Sequence, residues 1–179
     1  LRLPVLPLQA LRLALITRES AGVSLQIALV ALASYACGSW FTGLFHGASA
    51  RLGGLWSMIS GIAVLQASRR TTLSSAWLRV LGTFIGSVIS AAYLSLLPFS
   101  AVGMAACIFG TVLLCHAARL LDHTRLASLT VAVIMVGSST NPGLSPVLNA
   151  TLRFTESCIG TAVAVLAVLM SPDTAERRE

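Results

Sequence analysis

The sequence predicts an all-α, polytopic integral membrane protein whose six transmembrane helices form a 3+3 inverted repeat. Three observations lead there. The 179 residues are 56% hydrophobic and 10% charged, with a mean hydropathy of +0.86 and no lysine. Nearly every arginine falls on one side of the apolar stretches, and a segment around Arg79 recurs around Arg153. A soluble domain of this size could not hide so much apolar surface.

Charge-free windows run from Ser20 to Phe45, Leu52 to Ser68, Val80 to Cys115, Leu126 to Leu152 and Ser157 to Pro172, where a span needs ~20 apolar residues. Two of them are long enough to be hairpins. The Leu97-Pro98 turn splits the third, and the polar run from Ser138 to Gly143, with Pro142 inside it, ends a helix in the fourth. Six spans follow, near 20–45, 52–67, 73–97, 101–118, 124–139 and 148–170, in a single six-span domain covering 1–179.

Arg2, Arg12 and Arg18 are spread over eighteen residues with two prolines and no small-residue cleavage site, which argues against a cleavable signal peptide. Orientation follows from arginines at the ends of spans. Arg2, Arg12, Arg18, Arg69, Arg70, Arg119, Arg125, Arg177 and Arg178 collect on one side, and Arg51 alone lies on the other. Both termini are therefore expected in the cytoplasm. The formal charge of +6 then reports topology and attraction to anionic membrane lipid, and no nucleic-acid partner is needed to explain it.

The segment from Ala76 to Gly86 overlays that from Ala150 to Gly160 without a gap, matching Ala, Leu, Arg, Ile and Gly, and both segments run on to a proline at the same offset, Pro98 and Pro172. The shared Arg, Gly and Pro carry the argument, because apolar matches are common by chance. Repeats of three spans, at 20–98 and 101–172, enter the membrane from opposite sides, as in many transporters. The second and fifth spans, equivalent in the two halves, are the shortest. Gln66 and Ser68 end one, and Ser138 to Asn141 end the other.

Arg79 and Arg153 are the residues most in need of an account. An arginine in the bilayer interior costs ~2.5–3.5 kcal/mol on the lenient insertion scale, so it persists only with a partner, a wet cavity or a route to the headgroups. One reading makes them anion-binding groups whose forked donors fit a carboxylate or phosphate; the other has them snorkel to lipid phosphates. Glu156, three residues after Arg153, shares its helix face and is either a local neutraliser or a proton site. The first repeat has Gly82 at that position, so Arg79 lacks the neutraliser. Gln66, Arg69 and Arg70 are candidates for a cytoplasmic vestibule, and otherwise serve as interface charges. Trp56 belongs with Trp40, Phe41, Phe45 and Trp77 to the expected interfacial aromatics, with stacking on an aromatic substrate as its second reading. His46, His116 and His123, with Cys37, Cys107, Cys115 and Cys158, have no ligand-like spacing, and no metal, disulfide framework or cofactor is indicated.

The run from Gly54 to Leu73, with its tryptophan-led second span and Gln66-x-Ser68-Arg69 end, and the Arg79-x-x-Gly82-Thr83-x-x-Gly86 opening that follows, resemble the membrane half of the fusaric acid resistance and aromatic acid exporter superfamily, to which the plant aluminium-activated malate channels are related. The likeness extends over all six spans in hydropathy and is specific in about thirty residues. It implies export or conduction of organic anions, typically aromatic carboxylates, through a bacterial inner membrane. It also implies a periplasmic adaptor as partner and, since the chain holds one six-span unit, a homo-oligomer that assembles the pathway. In the malate channels a dimer encloses an arginine-lined pore, which agrees with the independent argument for Arg79. A membrane enzyme is disfavoured, because Glu156 is the sole acid within a predicted span. A non-transporting assembly or structural subunit is the competing reading.

Overall fold

The computed structural model describes residues 18–171 apart from 67 and 142. Arg2, Arg12, Arg177, Arg178 and Pro172 lie outside the described residues, and with them part of the orientation argument.

Six α-helices follow one another: α1 Arg18–Phe45, α2 Ala50–Val64, α3 Arg69–Leu96, α4 Ala101–Ala117, α5 Thr124–Thr140 and α6 Pro146–Met170. Each lies at a position where the sequence predicts a span. Short 3-10 turns, Gly47–Ser49 and Leu121–His123, lead into α2 and α5. Local chemistry sets the boundaries. Ser68, Ser100 and Ser145 cap α3, α4 and α6 by accepting from the amides of Thr71, Gly103 and Leu148, and Pro146 fills a first-turn position where no amide donor is missed. Between α2 and α3 the Thr72 hydroxyl brackets the Gln66 peptide, accepting from its amide at 3.0 Å and donating to its carbonyl at 3.3 Å.

Three helices, α1 from Ser20, α3 and α6, are long and apolar enough to cross a membrane, and α4 is a shorter apolar helix. With 15 and 17 residues, α2 and α5 reach only ~22 and ~26 Å at 1.5 Å per residue, short of a ~30 Å hydrocarbon core. The sequence expects these two to be the shortest spans; α2 is the shortest of the six, and α4, also with 17 residues, is as short as α5.

The distribution of side chains is that of a protein made for lipid. Large apolar residues face outward along α1, α3 and α4, among them Leu32, Trp40, Trp77, Val102 and Phe109, while much of the buried set is Ser, Thr, Gly and Ala. Helices in lipid gain little from hiding leucines from one another, so close backbone approach and hydroxyl pairing hold them together. The helices α3 and α6 pack against each other at the centre; α2 lies on α6, α5 on α3, and α1 and α4 flank them. Backbones approach closely at Gly160, where an added Cβ would collide with the Ser57 carbonyl. Arg69 ties the start of α3 to the end of α6, donating from Nη2 to the Leu169 and Ser171 carbonyls, a favourable place for a cation.

Replacing Gly160 by alanine is expected to cost about 1–3 kcal/mol through overpacking and to lower the melting temperature of the detergent-solubilised protein. Gly110, where nothing lies within 4 Å of the built Cβ, should accept alanine without loss. Equal melting temperatures for the two variants would contradict the packing described.

Candidate functional site

The floor of the site is built by α3 and α6, from which Arg79 and Arg153 both turn inward. Arg79 is 8% exposed and Arg153 6%. Arg79 projects from the eleventh position of α3 toward α2, donating from Nε and Nη2 to the Ser60 hydroxyl at 3.3 and 3.0 Å. Ser60 in turn donates to Ser157 of α6 at 3.2 Å, and Ser157 pairs with Thr83 of α3 at 3.2 Å. A chain of hydroxyls thus links three helices beneath one guanidinium. Among the described residues, no carboxylate stands within salt-bridge distance of Arg79.

Arg153 is held differently. Its Nη2 donates to Glu156 Oε1 at 3.0 Å, one turn along α6. The same oxygen accepts from Thr42 Oγ1 of α1 at 2.6 Å. Glu156 has no exposed surface. It fits because Gly53 of α2 faces it, where an added Cβ would meet both Glu156 Oε1 and Thr42 Oγ1. The remaining valences stay open: Arg153 Nε and Nη1 and Glu156 Oε2 are buried with no hydrogen-bond partner.

Two cavities lie over these groups. The larger, about 400 Å³, is a cleft between α2, α5 and the start of α6, with Leu52, Trp56, Val133, Val136, Leu144, Asn149 and Arg153 in its wall. The smaller, about 20 Å³, lies beneath it and brings Arg79 and Arg153 together with Trp56, Ser60, Thr83, Thr130 and Ser157. Trp56, Val133 and Arg153 line both. The first cavity has the size of a small-ligand pocket, apolar walls and a few polar groups. The second holds one water-sized group. Asn149 steadies the rim by donating to the Ile134 carbonyl at 3.2 Å.

The candidate residues named from sequence therefore divide. Arg79, Arg153 and Trp56 converge on the cavities. Glu156 stands behind Arg153 and lines neither cavity, while Gln66, Arg69 and Arg70 lie at the α2–α3 connection, away from both. Ser60, Thr83, Thr42, Asn149 and Ser157 were not singled out. A signal for two of them was present, since each arginine is followed four positions later by a hydroxyl residue, Thr83 or Ser157.

A bundle of apolar helices with paired cations at a polar centre defines a multi-pass membrane protein with a charged interior site. Residues 38–167, from late in α1 to late in α6, match the family model described as "Fusaric acid resistance protein-like". The chain belongs to that family, whose members are membrane transport and efflux proteins and not enzymes. The match takes in both arginines, Glu156 and every residue that lines the two cavities. No curated protein and no solved structure gives a significant match.

Removing one partner of a buried ion pair strands the other, at a cost of about 3–5 kcal/mol. Arg153→Met alone should therefore destabilise the protein strongly, and adding Glu156→Met should recover most of the loss in chemical denaturation. Additive losses in the double variant would contradict a coupled pair.

Proposed function

We propose that this protein exports or conducts organic anions, aromatic carboxylates in particular, through the inner membrane of a bacterium, along a pathway that passes Arg153 and Arg79. The observation that carries the reading is the pair of buried guanidinium groups on one cavity, one of them with two nitrogens unpartnered. A buried cation without its full complement of acceptors favours an anion beside it. Guanidinium donors match a carboxylate edge, and the apolar cleft above, with Trp56 in its wall, suits a planar ring.

In this reading all six helices span, as a 3+3 inverted repeat. Support comes from spacing. Ala50 opens α2 and Thr124 opens α5, Leu96 closes α3 and Met170 closes α6, and Gly47 and Leu121 open the two 3-10 turns, each pair 74 positions apart. The same spacing relates Arg79 to Arg153 and Thr83 to Ser157. The hydrogen bond between Thr83 and Ser157 thus joins equivalent positions of the two halves, as expected where a pseudo-two-fold axis crosses the bundle. The distribution of arginines supports cytoplasmic termini. A homo-oligomer completes the pathway, since the backbones of α2 and α5 do not pack against each other and the cleft runs between them. Left against hydrocarbon, that opening would bring Arg153 close to lipid.

The test is uptake of radiolabelled 4-hydroxybenzoate into liposomes holding the purified protein. Wild type should carry saturable flux, and Arg79→Gln, at unchanged oligomeric size, should reduce it at least about tenfold, the loss of one charged hydrogen bond. An imposed pH gradient that drives the flux indicates proton coupling, and insensitivity to it indicates a channel. Equal flux in the variant, or none above empty liposomes for several organic anions, would favour the non-transporting assembly subunit.

A further inference from the structure

Six of the nine residues that line the small cavity fall into equivalent pairs. Trp56 and Thr130, Arg79 and Arg153, and Thr83 and Ser157 all line it, and each pair is separated by 74 positions. An axis relating the two halves therefore passes through this cavity, and whatever it relates to the larger cleft lies at the opposite end of the bundle. The cleft is lined by Leu52, Thr140, Leu144, Asn149 and Arg153. Their equivalents are Leu126, Gln66, Arg70, Ser75 and Arg79. Gln66 and Arg70 are exposed and Ser75 is half-buried.

We propose that Gln66, Arg70, Ser75 and Arg79, with Leu126 opposite, form a second anion-binding cleft at the arginine-rich end, for the same class of organic anion that the first cleft accepts. This rests on the inverted-repeat transport reading. The two clefts meet at the small cavity, where a volume of about 20 Å³ and the Thr83–Ser157 hydrogen bond leave no room for an aromatic ring. Passage from one to the other requires that contact to open.

The clefts are unequal in charge. Arg153 carries Glu156 on its Nη2, so the first cleft has one cation already offset. At the equivalent of Glu156 the other half has Gly82, and at the equivalent of Leu144 it has Arg70. The second cleft therefore holds two arginines with no acid at the matching position. It binds the anion at lower concentration, so loading is favoured at the arginine-rich end and release at the other.

Single cysteines at Ser75, Gln66, Asn149 or Thr140, in a background with the four native cysteines replaced, test this through their reaction with a membrane-impermeant methanethiosulfonate in sided vesicles. Ser75→Cys and Gln66→Cys should react from the arginine-rich side, and Asn149→Cys and Thr140→Cys from the other. 4-Hydroxybenzoate should protect both sets, with half-protection at Ser75→Cys about tenfold lower in concentration than at Asn149→Cys, a charged hydrogen bond's worth. Arg70→Gln should raise the former and leave the latter unchanged. Labelling needs no transport, so the outcome separates two failures. Protection and flux at the Asn149 side with inert cysteines at both Ser75 and Gln66 would overturn the second cleft and keep the transport reading. Reactive but unprotected cysteines at both ends would overturn both. Protection at Ser75 that Arg70→Gln does not alter would overturn the role given to Arg70.

Discussion

Two guanidinium groups in the middle of an apolar bundle constrain everything around them. Hydrocarbon cannot solvate them, and an unpaired buried charge costs several kcal/mol. The interior is accordingly built from hydroxyls and glycines. Ser60, Ser157 and Thr83 run under Arg79, Thr42 steadies the carboxylate that holds Arg153, and Gly53 and Gly160 let α2 approach α6 closely enough for these short side chains to reach. Large apolar side chains are pushed outward as a consequence, and the outside of the bundle becomes the surface that lipid can wet.

The two arginines are equivalent in sequence and unequal in surroundings. Arg153 has an acid on its own helix, whereas Arg79 has a serine from a neighbouring one. A pair of equal, fully neutralised cations would be structural mortar. A pair that lines one cavity, with two nitrogens of Arg153 left without a partner, is a site. Family membership places the protein among membrane transport and efflux proteins, and the proposal of an anion pathway adds the chemistry that this cavity can recognise. The apolar cleft above the arginines explains how a ring can accompany a carboxylate.

Much of the architecture was legible in the residues. Charge-free windows and the prolines at 98 and 142 located the helices, because a helix in lipid must be apolar along its length and a proline breaks it. The match of Arg79 with Arg153 was visible for the same reason: an intramembrane arginine is rare enough to stand out. What could not be read was their convergence. The linear spacing says only that they are equivalent, and the packing of α3 on α6 is what brings both to a single cavity. The hydroxyl partners were hidden by their ordinariness, since Ser and Thr in a membrane helix usually bond their own backbone, as Ser90 and Thr155 do here. Gly53 was hidden too, because a glycine that clears space for a carboxylate on another helix looks like any packing glycine until the helices are assembled. Gln66 and Arg70 remain attached to the site through the repeat alone.

The most direct measurement of the central claim is the position of 4-bromobenzoate in crystals of the protein, located by anomalous scattering from bromine. A bromine peak is expected in the cleft beside Trp56 and Val136, with the carboxylate directed at Arg153. Bromine confined to the lipid-facing surface, with an acyl chain filling the cleft and no anion near either arginine, would contradict it.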